Sequence, residues 1–149
     1  MSTLPDADTL RIHIYDCIVS DGRIPSVREL SADFQVSPDA VRQAIVGLRV
    51  GKTMLSNPHT GEIWMAGPFS SSETPYRVAG ATATWWANCA WDMLGVAMIA
   101  GEPVHIEAEC GDCRAPITLD ASPDRPPDSD AVVHFLVPAR QWYDDIGFT

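Results

Sequence analysis

The sequence holds a single lysine, Lys52, against nine arginines, and twenty acids outweigh its ten bases for a net charge of −10. A chain so acidic repels phosphate backbones, which disfavours nonspecific nucleic-acid binding. It also lacks any apolar run near the ~18 residues that a membrane-spanning helix needs. The longest candidate, residues 93–100, reads as a buried helix. The first eight residues carry two acids and no basic patch ahead of an apolar stretch, so no secretory leader is expected. Cysteine is scarce. Four thiols (Cys17, Cys89, Cys110, Cys113) do not demand disulfides, and in a reducing cytoplasm they act as thiols, ligands or nucleophiles. Internal repeats are absent. What remains is a chain of 149 residues, 46% apolar, which can build a real core in one ordinary domain or two small ones. A soluble cytoplasmic protein is the default expectation.

The first half reads as helical. Leu10, Ile12, Ile14, Cys17 and Ile18 make an imperfect apolar stripe over residues 8–20, ended by Asp21-Gly22. Ser26 followed three residues later by Glu29 is a capping box, opening a helix with Val27, Leu30 and Phe34 inward. Ser37-Pro38 opens a third helix, with a good N-cap and proline at its first position. Short extended segments follow at Met54-Leu55 and Ile63-Trp64-Met65, joined by a turn through Gly61. Helix, helix-turn-helix and hairpin together predict a winged-helix-like module. A DNA-reading role for the helix over residues 37–49 is opposed by its few bases, Arg42 and Arg49, and by Asp33 and Asp39 beside them.

Residues 66–84 read as an irregular linker rich in Gly, Pro and Ser that wraps the rest. Beyond it the pattern predicts a helix over about 85–99 and strands at 103–109, 115–120 and 131–137. An acidic proline-rich loop over 122–130 and a helix start at 138–145 complete it. The expected division is therefore 1–65, 66–84 and 85–149.

The densest chemistry lies in Trp85-Trp86-Ala87-Asn88-Cys89-Ala90-Trp91-Asp92. On a helix, positions i and i+3 share a face, so Cys89 and Asp92 can act on one bound atom. A soft thiolate beside a carboxylate suits a soft metal held by sulfur while the acid moves a proton. The bland alternatives are a small core cysteine and an aspartate placed for the helix dipole. Trp85, Trp86 and Trp91 are candidate pocket walls or ordinary aromatic core. Cys110-Gly111-Asp112-Cys113 has the shape of half a zinc knuckle. It lacks two further ligands, because neither His105 nor His134 has ligand-pair spacing. Cys17 reads as core, and His13 and His59 as surface residues.

The tryptophan-rich segment resembles the alkylmercury lyase family, whose members cleave carbon–mercury bonds by protonolysis. Pro68-Phe69-Ser70 and Thr74-Pro75-Tyr76-Arg77-Val78 are similar to the family's entry into its core. Pro103-Val104-His105-Ile106-Glu107-Ala108 and Val133-His134-Phe135-Leu136-Val137-Pro138 are similar to core strands. Trp142-Tyr143-Asp144-Asp145-Ile146-Gly147-Phe148-Thr149 is similar to the lead-in to its second catalytic cysteine, which the chain does not reach. The resemblance implies an α+β fold, a winged-helix-like N-terminal domain that does not act on DNA, and a core of antiparallel strands and helices. It implies that Cys89, its pKa lowered near a helix start, takes R–Hg⁺, and that Asp92 passes the thiol proton to carbon. Trp85, Trp86 and Trp91 line the pocket, with Cys110 and Cys113 as auxiliary thiols or a structural pair. No resident cofactor is implied. The partners are an organomercurial and a thiol or mercuric reductase that accepts mercury(II). Two alternatives stay open: a non-catalytic soft-metal binder or sensor on the same fold, and a lyase-like domain recruited to metal-free chemistry.

Overall fold

A computed structural model describes residues 4–49 and 54–147; Lys52 and the closing Phe148-Thr149 of the family-like segment lie outside them. Local capping starts the N-terminal helices. The Asp6 side chain accepts the backbone N–H groups of Asp8 and Thr9 at 3.1 and 3.0 Å and opens α1 (Ala7–Asp21). Gly22, at φ 74°, closes it in the left-handed conformation that glycine adopts without penalty. The capping box between Ser26 and Glu29 forms as expected and opens α2 (Val27–Phe34). Ser37 accepts the N–H of Ala40 and opens α3 (Pro38–Leu48). Leu10, Ile14 and Ile18, spaced by one turn, are the buried stripe of α1. Ile12 is exposed and Cys17 half-buried, so the stripe is narrower than the sequence pattern suggests.

The strands form two antiparallel sheets. One orders β1 (Met54–Ser56), β2 (Ile63–Ala66) and β3 (Phe69–Ser70) in sequence. The other runs β5 (Thr84–Trp86), β4 (Arg77–Ala79), β6 (Val104–Glu109), β7 (Pro116–Ala121), with α4 (Asp92–Ala100) between β5 and β6 in sequence. The segment over 66–84, expected to be irregular, thus supplies β3 to one sheet and β4 to the other. Helices and antiparallel sheets together make an α+β fold.

One apolar cluster runs from Leu10 on α1 through Phe69, Val78 and Trp85 to Ile106 and Ala121. Trp85 is 1% exposed, and its indole N–H donates to the Ile18 carbonyl at 2.7 Å, tying β5 to the end of α1. Along β6 the burial alternates residue by residue, the signature of a sheet with one face on the core.

Two expectations fail in the second half. Residues 84–91 are not helical: β5 occupies 84–86, a turn follows, and α4 starts only at Asp92. Thr84, Trp85 and Trp86 are β-branched or aromatic, and they pair with Ala79, Val78 and Arg77. The strand expected over 131–137 is also missing. Its apolar residues find no ladder partner, so Val132 is 87% and Leu136 80% exposed, and one 3₁₀ turn (Ala139–Gln141) replaces the expected helix start.

Candidate active site

The site grows from the end of β5. Phe69 bridges Ala87, whose N–H donates to the Tyr76 carbonyl at 2.9 Å and whose carbonyl accepts the Thr74 hydroxyl at 2.6 Å. Asn88 donates its N–H to the Pro68 carbonyl at 3.1 Å. The backbone is therefore pinned on both sides just before Cys89. Trp91 then takes the N-cap position of α4 without offering a side-chain cap. The Cys89 sulfur supplies one instead, accepting the N–H of Asp92 at 3.4 Å, while its carbonyl accepts the N–H of Met93 at 3.1 Å. A thiol here does the work of the usual serine or aspartate at a helix start.

Burial dominates the electrostatics. It pushes the Cys89 thiol up from its ordinary value, partly offset by the Asp92 N–H, with the Asp92 charge adding to the rise. The helix start therefore does not win, and the expected lowering is corrected: desolvation of a half-buried thiolate costs more than one N–H returns. Burial also pushes the Asp92 carboxyl up, against hydrogen bonds from the Asn88 side chain and the Cys89 thiol that lower it. Thiol and carboxyl are thus hydrogen-bonded neighbours, and burial makes each a stronger holder of its proton than an exposed counterpart. A proton held between such groups is available for transfer to a third atom.

Two further residues belong here. The Asn88 side-chain oxygen is buried and meets no partner among the described residues. Buried polar atoms are nearly always satisfied, so an orphan beside a perturbed carboxyl is a candidate partner for a bound group. Tyr15, on α1, donates its hydroxyl to the Gly67 carbonyl at 2.7 Å. Its pKa is raised chiefly by burial, with the Asp92 charge also contributing, which places it within reach of the site's field. Neither residue carried a signal in the sequence, because each acquires its setting through contacts distant along the chain.

The tryptophans separate. Trp85 faces the core, with Phe69 beside its ring at 6.2 Å between centroids, and is not a pocket wall. Trp86 is half-buried. Trp91 is 57% exposed and meets Phe135 at 6.2 Å, and Phe135 in turn meets Trp142 at 4.9 Å. Trp91, Phe135, Leu136, Pro138 and Trp142 line an apolar cleft of about 530 Å³; of the tryptophan-rich segment it takes in Trp91 but neither Cys89 nor Asp92. Of residues 131–137, lost as a strand, Phe135, Leu136 and Val137 return as one wall of this cleft.

Cys110 and Cys113 sit in the β6–β7 turn, and all four cysteines are free thiols. The Cys110 thiol is lowered by backbone N–H groups of Cys113 and Asp112 and by the Cys113 side chain. Sheet register puts Trp86, Arg77 and Glu107 in one row, so Cys89 and the Cys110 turn leave the sheet at the same end. The lane of β4 separates them, about 10 Å between strand axes. His105 is engaged elsewhere, its Nδ1 2.8 Å from Asp120.

A family model described as alkylmercury lyase matches residues 69–148, more than half of the chain. Among solved structures the fold is similar to that titled "Crystal structure of the mercury-bound form of MerB2", with a TM-score of 0.63 and 18% identity. The match covers 86% of this chain and 63% of that one, so this chain spans less than two thirds of its length. At that identity the likeness is one of fold. No match is found among curated proteins.

Proposed function

Because the chain belongs to the alkylmercury lyase family, we propose that it cleaves carbon–mercury bonds by protonolysis, with Cys89 and Asp92 as its chemistry. The observation that carries this reading is the Cys89 sulfur 3.4 Å from the Asp92 N–H, with both acidic groups raised by burial. Sulfur outcompetes oxygen for mercury, so Cys89 binds R–Hg⁺ as its thiol proton passes to Asp92. Asp92 then returns that proton to the carbon. The carbon–mercury electron pair becomes the new C–H bond, the hydrocarbon leaves, and mercury(II) stays on Cys89. A raised carboxyl pKa suits both halves of this exchange. Trp91 and the cleft admit the organic group, and the Asn88 oxygen is available to bound substrate.

Turnover then requires a thiol to lift mercury(II) from Cys89. A low-molecular-weight thiol or mercuric reductase in a reducing cytoplasm fits that role, with Cys110 and Cys113 as auxiliary acceptors. No resident cofactor takes part. We read residues 1–65 as a winged-helix-like packing module, 66–84 as the connection, and 85–149 as the lyase-like core. Support for a packing role comes from Arg42, which is paired with Asp39 at 2.9 Å, and from the core shared by α1 and β5.

The test is headspace gas chromatography of benzene released from phenylmercuric acetate with excess thiol. Release above the thiol-only background, lost in Cys89→Ser and Asp92→Ala, is the expected result. Mercury retained without benzene would instead mark a binder, and unaltered uptake by Cys89→Ser would sink the assignment of Cys89.

A further inference from the structure

Away from the Cys89 site, α1 and α2 bring together three side chains of metal-ligating type. His13 and Cys17 lie one turn apart on α1, and Asp33 approaches from the last turn of α2. His13 Nε2 is 3.0 Å from Asp33 Oδ2 and 3.7 Å from Cys17 Sγ, and the three ligand atoms all lie within 4.8 Å of one another. In a tetrahedral zinc site, bond lengths near 2.0–2.3 Å place N, O and S ligand atoms roughly 3.3–3.7 Å apart. The cluster is thus nearly at coordination spacing before any ion enters.

A simple His–Asp ion pair accounts for one contact but not for the convergence. Both the carboxylate and the sulfur address the same ring nitrogen, Nε2, which has one proton or one lone pair to offer. One proton cannot serve both well, whereas one cation accepts a lone pair from all three. Asp16, Asp21 and Glu29 also place negative charge around the Cys17 sulfur, which a cation offsets; burial, which raises the thiol most, is the cost that metal ligation has to overcome. The edge of the Phe34 ring against His13, 4.9 Å between centroids, restricts the imidazole from swinging away.

We propose that His13, Cys17 and Asp33 form a binding site for a zinc-class divalent cation that clamps α1 to α2. The donors are one imidazole, one thiolate and one carboxylate, a set of intermediate softness that suits zinc. Binding displaces the Cys17 thiol proton to solvent, and water completes the fourth position. His13 and Asp33 are partly exposed, so the ion has a path in. This site is independent of the mercury chemistry and requires nothing of Cys89.

Cobalt(II) is the probe, because its thiolate charge-transfer and four-coordinate d–d bands report sulfur ligation directly. It is titrated into the full chain carrying Cys89→Ser, Cys110→Ser and Cys113→Ser, which leaves Cys17 as the sole thiol. One equivalent with a charge-transfer band, displaced by zinc, is expected. Asp33→Asn and His13→Gln should each weaken binding ~10-fold or more, with far-UV circular dichroism verifying that each variant is folded. Zinc should also raise the melting temperature of the parent but not of Asp33→Asn. Absence of the band, or a band of unchanged affinity in both variants, would overturn the proposal.

Discussion

Replacing Trp85 by phenylalanine separates its place in the core from the pocket role suggested by the tryptophan-rich segment. The indole is 1% exposed and its N–H donates to the Ile18 carbonyl at 2.7 Å. That carbonyl also accepts the N–H of Gly22 at 3.0 Å, so the substitution does not orphan it. Loss of the indole hydrogen bond costs about 1 kcal/mol. The smaller ring leaves unfilled space that costs about 1 kcal/mol more at the usual penalty per unit of cavity volume. The total, about 2 kcal/mol, is a large share of the ~5–15 kcal/mol that stabilises a domain. At about 2–4 °C per kcal/mol for a chain of this size, the melting temperature should fall by ~4–8 °C. Urea unfolding followed by far-UV circular dichroism reads the change as a lower midpoint with an unaltered slope. Mercurial uptake at low temperature should be unchanged. An unaltered midpoint with weakened uptake would refute the core assignment and return Trp85 to the pocket.

Trp91→Ala should behave oppositely, because its side chain is mostly exposed: stability changes by less than about 0.5 kcal/mol, while KM for phenylmercury rises more than KM for methylmercury in steady-state assays. Asp92 has a raised carboxyl pKa, so the carboxylate that receives the thiol proton is lost on acidification at a higher pH than for an ordinary aspartate. In the proposed mechanism the pH–rate profile should therefore carry an acid limb at a higher pH than an exposed aspartate would give, and Asp92→Asn should abolish turnover. A folded-state pKa above the unfolded one also means stability is lost as pH rises through it. Asp92→Asn should then melt higher than the parent at neutral pH, in a differential scanning calorimeter. Ser26→Ala should cost about 1 kcal/mol by removing the capping box of α2. Glu29 is held down to about 2, first by Arg23 and then by Ser26. Its depressed pKa contributes stability that is present above the ordinary carboxylate range and is lost as pH falls through about 2. Acid titration of the helical circular dichroism signal checks both statements.

Legibility followed locality. The starts of α2 and α3 were readable because a capping box and a Ser-Pro pair act within four residues, whatever the rest of the chain does. The β6–β7 hairpin was readable from alternation on its one buried face. The strand β5 was not, since its three residues become a strand only by pairing with β4 and by seating Trp85 on α1. Both of those contacts lie far off in sequence. The apolar pattern over 131–137 misled for the complementary reason: alternation predicts a strand only where a sheet edge receives it. Here no edge does, and of these residues it is Phe135 that meets Trp91.

The candidate site survived its misplacement for a physical reason. The pattern over 85–92 predicts a helix, which would bring Cys89 and Asp92 together across one turn. The helix in fact begins at Asp92 with Trp91 at the N-cap, but the turn ahead of it also sets the Cys89 sulfur against the N–H of residue i+3, as a capping side chain does. Two different local structures therefore give the same neighbour, and the spacing stayed informative when the element did not. What differs is the charge state. A thiol inside a helix start was expected to be acidified, whereas one folded under the cap is desolvated, and its pKa rises. In the proposed mechanism that shift gives Asp92 more of the work, because a reluctant thiol would need its partner to take the proton as mercury binds. His13, Cys17 and Asp33 make the contrasting case. No spacing rule could join a residue of α2 to a one-turn pair on α1, because their meeting depends on how the two helices cross.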